Sequence, residues 1–157
     1  MILRPGYITE EMLSEVLGEE VKIDPGIIAA DSLTKPKAPG MKYRHYAPKA
    51  DMILVEGDMD KVVDYINEQT KKAEAEGKKV GIICTEESRD MYQGGNLEVI
   101  GSREHEETVA HNLFAVLRDF DARKVDCIFS ESFSKDQLGQ AIMNRLCKAA
   151  GYHIVNI

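Results

Sequence analysis

Five consecutive residues, Lys42, Tyr43, Arg44, His45 and Tyr46, stand inside the stretch PGMKYRHYAP at positions 39–48. Their side chains suit an anionic ligand. Lys42 and Arg44, with Lys49 just beyond, can pair with phosphate oxygens, and a tyrosine phenol can donate to one or stack its ring on a base. Gly40 lets the backbone approach closely. From 32 to 50 there are five Lys/Arg and no acid, in a chain whose net charge is −7; the remainder holds 15 Lys/Arg against 27 Asp/Glu. Two readings of this stretch stay open on spacing alone. It is a strap that closes over an anion, or a basic tether lying over an acidic domain.

Other chemistry-bearing residues are less pointed. His105 and His111 are six apart, which does not give the i, i+4 spacing of a zinc-binding helix, and they read with His153 as helix-face or surface residues. Cys84, Cys127 and Cys147 form no CxxC pair and read as reduced thiols among apolar neighbours. Ser130, Glu131 and Ser132 fall where a strand should end, the place where α/β folds often keep a site, but no GxSxG elbow accompanies them. Neither a GxGxxG nor a GxxxxGKS/T fingerprint is present. The turn after the first α/β strand reads VEGDMDK, whose acids would repel a pyrophosphate.

The elements that must position these residues divide the chain into three zones. In residues 1–23, Thr9 caps a short helix EEMLSEVL that Gly18 stops, and VKI reads as a short strand. Residues 24–50 show no helical or strand period, and Pro36, Pro39 and Pro48 keep this linker extended. Residues 51–157 alternate strand and helix. Strands are expected at DMILVEG, KKVGIICT, NLEVIGS, VDCIFSES and YHIVNI, with a short helix within TEESRDMYQGG. Long helices are expected over 58–77, 103–124 and 135–151, with apolar stripes at Val62, Ile66 and Ala73; at Val109, Leu113, Val116, Leu117 and Phe120; and at Leu138, Ile142, Leu146 and Ala149. This alternation predicts a three-layer α/β fold on a mostly parallel sheet.

The totals agree with one ordinary domain carrying an appendage: 157 residues, 43% apolar and 30% charged. No apolar run approaches the ~18–20 residues of a membrane span. The N-terminus lacks a signal-peptide core. The expectation is a cytoplasmic protein with neither membrane nor DNA as partner.

Several stretches together resemble one family. KAPGMKYRHYAPKA resembles the interdomain linker of the long, two-domain threonylcarbamoyl-AMP synthases of the Sua type. ILRPGYITEEMLSEVLGE resembles the end of their YrdC-like catalytic domain. IGSREHEETVAHNLFAVLRDFDARKVD and LGQAIMNRLCKAAG resemble their C-terminal domain. The resemblance runs from about residue 2 to 151. It implies a remnant of the YrdC-like domain at 1–23, the linker at 24–50 and a Rossmann-like C-terminal domain at 51–157. The family makes threonylcarbamoyl-AMP and pyrophosphate from threonine, bicarbonate and ATP, with magnesium accompanying the ATP, for threonylcarbamoyladenosine on tRNA.

By the same resemblance, Arg4 of ILRPG contacts ATP and Tyr43 of MKYRHY reaches the nucleotide, while Lys42, Arg44, His45 and Tyr46 support the strap. The linker then acts as a lid over an ATP site in the chain's own YrdC-like domain. The family's basic KxR-type segment and serine-rich pocket have no counterpart here. The chain is therefore expected to be a fragment or a truncated frame, inactive alone, with no catalytic residue, metal ligand or cofactor of its own. The alternative is a non-catalytic binding module for tRNA or a tRNA-modification protein.

Overall fold

A computed structural model describes residues 1–3, 6, 8–24, 47–134 and 137–157. Near the N-terminus, helix α1 spans Glu10–Leu17. Thr9 caps it as expected, its hydroxyl oxygen accepting from the Met12 amide at 3.3 Å. Gly18 ends it in the left-handed region at φ 67°, a conformation that costs glycine little. The VKI segment makes a single parallel bridge, Ile23 with Ile2, rather than a strand. Three residues with one partner of equal brevity cannot propagate a ladder.

From residue 51 onward the expected alternation holds. The strands are β1 (Asp51–Glu56), β2 (Val80–Cys84), β3 (Asn96–Val99), β4 (Cys127–Glu131) and β5 (Ile154–Asn156), and the helices are α2 (Met59–Ala75), α3 (Glu106–Arg123) and α4 (Gln137–Ala149). One short 3-10 turn, Arg89–Met91, lies between β2 and β3. The sheet order is β3-β2-β4-β1-β5, and every pairing is parallel.

Period-two alternation sends neighbouring residues of each strand to opposite faces. Met52 and Leu54 of β1, Ile83 of β2 and Ile128 of β4 pack with the α3 stripe and with Ile142, Met143 and Leu146 of α4. Val55, Val80, Ile82, Cys84 and Phe129 pack on the other face with Val62, Val63 and Ile66 of α2. Helices therefore cover both faces, which is why these strands read as nearly unbroken apolar runs. Gly81 sits in an interior strand for a steric reason. A Cβ there would lie 2.7 Å from the Phe120 ring, so the glycine makes room for the largest fully buried side chain.

The strand order sets the site. α2 carries the chain from β1 past β4 to β2, whereas α4 carries it from β4 past β1 to β5 on the opposite face. The helices leaving β1 and β4 thus depart to different faces, and beside them lie the carboxyl ends of β2 and β4, the edge at which such sheets often keep a site. Among the described residues, no helix is long and apolar enough to cross a membrane.

Candidate functional site

The residues expected to serve the anion, Arg4, Lys42, Tyr43, Arg44, His45 and Tyr46, lie outside the described residues. Their flanks are anchored on both sides. The Ile2 amide donates to the Lys22 carbonyl at 2.7 Å and the Asp24 amide to the Ile2 carbonyl at 2.9 Å. The chain just before Arg4 thus runs beside the chain entering the linker. At the far end, the Lys49 amide donates to Asp121 Oδ1 of α3 at 2.7 Å, and Pro48 and Ala50 are buried as the chain enters β1.

Among the described residues, the polar constellation at this edge is centred on Glu131, the last residue of β4 and wholly buried. Ser88 and Tyr92 donate to its Oε1, the phenol at 2.8 Å. Thr85 donates to Oε2 at 3.4 Å, and Arg103 Nη2 pairs with the same oxygen at 2.6 Å. The Arg103 guanidinium lies 4.9 Å from the centroid of the Phe133 ring, a cation–π distance. Strand parity explains the direction: Cys127, Phe129 and Glu131 share the α2 face of β4, where Tyr92 also packs.

Two loops bring the partners together. The β2 loop, Thr85–Ser88, and the loop from β3 to α3, Gly101–Glu104, are tied directly, the Glu86 amide donating to the Gly101 carbonyl at 2.9 Å. Glu87 Oε1 accepts from the Ser102 hydroxyl at 2.5 Å and from the Arg103 amide at 2.9 Å. Burial alone would raise the Glu87 carboxyl, but these hydrogen bonds, with help from Thr85 and its own amide, hold it down at about 2. Burial and the Glu131 charge push the Cys84 thiol up to about 12. Burial first, then the charge and hydrogen bond of Glu131, push the Tyr92 phenol up as well.

The chemistry this arrangement can perform is narrow. Ser88 and Thr85 are 1% and 0% exposed, so neither presents a nucleophile, and Glu131 is sealed from any substrate proton. Nearby donors of the kind that cradle a phosphate are already met by carboxylates of the chain itself, Glu87 on the Arg103 amide and Glu106 on the Ser134 hydroxyl at 3.1 Å. Among the described residues, no group of three or more His, Cys, Asp or Glu is placed to hold a metal ion. The constellation is a fastening, not a reaction centre.

Sequence reading pointed to Ser130–Glu131–Ser132 but not to its partners, which lie 28 to 46 residues away along the chain. His105 takes the N-cap position of α3 rather than its face, and the helix begins at Glu106 instead of 103. His111 and His153 are exposed, as expected, and no disulfide joins the three cysteines.

A family model described as "Threonylcarbamoyl-AMP synthase, C-terminal domain" matches residues 8–151. The Bacillus subtilis (strain 168) threonylcarbamoyl-AMP synthase is 41% identical over 155 residues, covering 99% of this chain and 43% of that protein. The crystal structure of Pyrococcus abyssi Sua5 complexed with L-threonine superposes with a TM-score of 0.84 at 42% identity, covering 99% of this chain and 43% of that one. The C-terminal Sua5 domain from Pyrococcus horikoshii gives a TM-score of 0.57 at 40% identity, covering 71% of this chain and all of that one. The chain thus spans less than half the length of the curated relatives it matches. With a family match across most of its length and the same parallel α/β architecture, the chain belongs to the threonylcarbamoyl-AMP synthase C-terminal domain family.

Proposed function

We propose that this chain is the linker and C-terminal part of a threonylcarbamoyl-AMP synthase, acting in the modification of tRNA to threonylcarbamoyladenosine. The observation that carries this reading is the match over 8–151 to a C-terminal domain family, by a chain that covers 43% of a relative named for that activity. The reaction is the joining of threonine, bicarbonate and ATP, with release of pyrophosphate. The relative solved with L-threonine supports threonine as substrate.

In this reading the chain supplies a closing segment and no reacting group. Arg4 and Tyr43 reach the nucleotide, and Lys42, Arg44, His45 and Tyr46 hold the strap across the mouth of the site. A strap bearing cations and phenols suits a polyanion from which water must be kept. The anchored flanks at Ile2–Asp24 and Lys49–Asp121 fit a segment whose two ends are fixed. Magnesium would arrive with the ATP; the described residues offer no cluster to hold it, and no step is routed through it on this chain. The sealed Glu131 constellation supports a structural role for the α/β unit.

The test is Tyr43→Phe placed in a full-length synthase carrying this region, with pyrophosphate release followed against ATP concentration. Losing one hydrogen bond to a charged group, roughly 1.5 kcal/mol or more, corresponds to about a tenfold weaker use of ATP. Unchanged kcat/KM for ATP would refute the lid role of Tyr43.

A further inference from the structure

The carboxyl end of β2 and β4 is held shut by polar ties rather than by core. The two loops there, Thr85–Ser88 and Gly101–Glu104, contain only Thr, Glu, Ser, Gly and Arg, with no large apolar side chain between them. They are joined to each other through Glu86 with Gly101 and through Glu87 with Ser102 and Arg103. Both are joined to β4 through the one carboxylate of Glu131, from Thr85 and Ser88 on one side and Arg103 on the other. Breaking these ties would leave both apolar clusters and the sheet ladder in place. Regions with few buried apolar contacts are the ones that open without global unfolding.

Three details make the Arg103–Glu131 contact the one that can let go. The Arg103 side chain is 30% exposed, so water already reaches part of it. Its Nε is buried without a hydrogen-bond partner, so the closed form leaves a donor unmet that release would satisfy. Tyr92, outside both loops, still donates to Glu131 when the loops leave, so its carboxylate is not left bare. Arg103 is also the only cation paired with Glu131 among the described residues, which makes it the single pin.

We infer that these two loops and Arg103 form a clasp that opens as one unit, with the Arg103–Glu131 pair as its pin, while the sheet remains folded. The edge it closes is the one at which parallel α/β sheets meet their ligands and partners. Ligands with higher affinity for one of two forms shift the balance between them, so the clasp gives this domain a two-state element at that edge.

Native-state hydrogen exchange on the 157-residue chain in low urea tests it. The amides of Glu86 and Arg103, hydrogen-bonded across the clasp to Gly101 and Glu87, are expected to share one opening reaction with one urea dependence. That opening should be at least about tenfold more frequent than the opening of sheet amides such as Ile82 and Phe129. Arg103→Met should speed exchange at Glu86, which Arg103 does not itself bond, by about tenfold or more, and the loop amides should still open more often than Ile82 in the variant. Separate urea dependences in the wild-type chain, or merging of the loop amides only with the sheet, would overturn the clasp. So would acceleration in Arg103→Met confined to residues 101–104. The wild-type comparison decides the matter even if the variant folds poorly.

Discussion

Replacing Arg103 by Met should destabilise the chain by about 2–3 kcal/mol. Removing one member of a buried ion pair typically costs about 3–5 kcal/mol, because the remaining charge is left in low dielectric. Here Glu131 is fully buried, but it retains Ser88, Tyr92 and Thr85 as donors, and the space vacated by a 30% exposed arginine admits water. Both features lower the cost. The double variant Arg103→Met, Glu131→Leu removes the charges together. It strands the Tyr92 phenol, while Ser88 and Thr85, 3.1 Å apart, can still bond each other. One stranded buried hydroxyl costs about 1–3 kcal/mol, so the double variant should be no worse than Arg103→Met alone. Urea unfolding of the wild type, both single variants and the double variant gives the coupling as the failure of additivity, expected at about 2 kcal/mol. The corresponding fall in Tm for Arg103→Met is roughly 5–10 °C. A loss under about 0.5 kcal/mol for Arg103→Met, or additive single effects, would refute the description of this pair as buried and coupled.

Two further outcomes follow from local geometry. Gly81→Ala should cost about 1–3 kcal/mol by overpacking, since its Cβ would meet the Phe120 ring at 2.7 Å, and Phe120→Leu in the same chain should recover part of that loss in a urea titration. Glu87, held at about 2 against an ordinary 4.5, stabilises the fold fully above pH 4.5 and loses that contribution as pH falls toward 2. Glu87→Gln should therefore flatten the pH dependence of stability between about 4.5 and 2, modestly because the carboxylate is largely exposed, and an unaltered slope would contradict the assigned hydrogen bonds.

Architecture was more legible in the sequence than the site was. The α3 stripe of Val109, Leu113, Val116, Leu117 and Phe120 is buried as its spacing required, because a helix has one way to turn such a stripe inward. Apolar runs such as VGIIC fixed a strand covered on both faces. VKI failed as a strand because strand propensity cannot supply a partner longer than Ile2. The helix α3 begins at Glu106 rather than 103 because Glu87 accepts from the Arg103 amide and holds that residue in the preceding loop. Glu131 was marked only by its place at a strand end. Its partners Thr85, Ser88, Tyr92 and Arg103 come from separate connections at no fixed spacing, so only the folded sheet reveals that one carboxylate joins them. The strap was the reverse case: its composition and resemblance were plain in the sequence, and its residues lie outside those the structure describes.

The central claim is that this chain serves a synthase whose reacting groups lie elsewhere. Its most direct test is the purified 157-residue chain incubated with ATP, magnesium, threonine and bicarbonate, with pyrophosphate and threonylcarbamoyl-AMP both measured. The account predicts no product above the protein-free background. Pyrophosphate release that requires both threonine and bicarbonate, accompanied by threonylcarbamoyl-AMP, would contradict it.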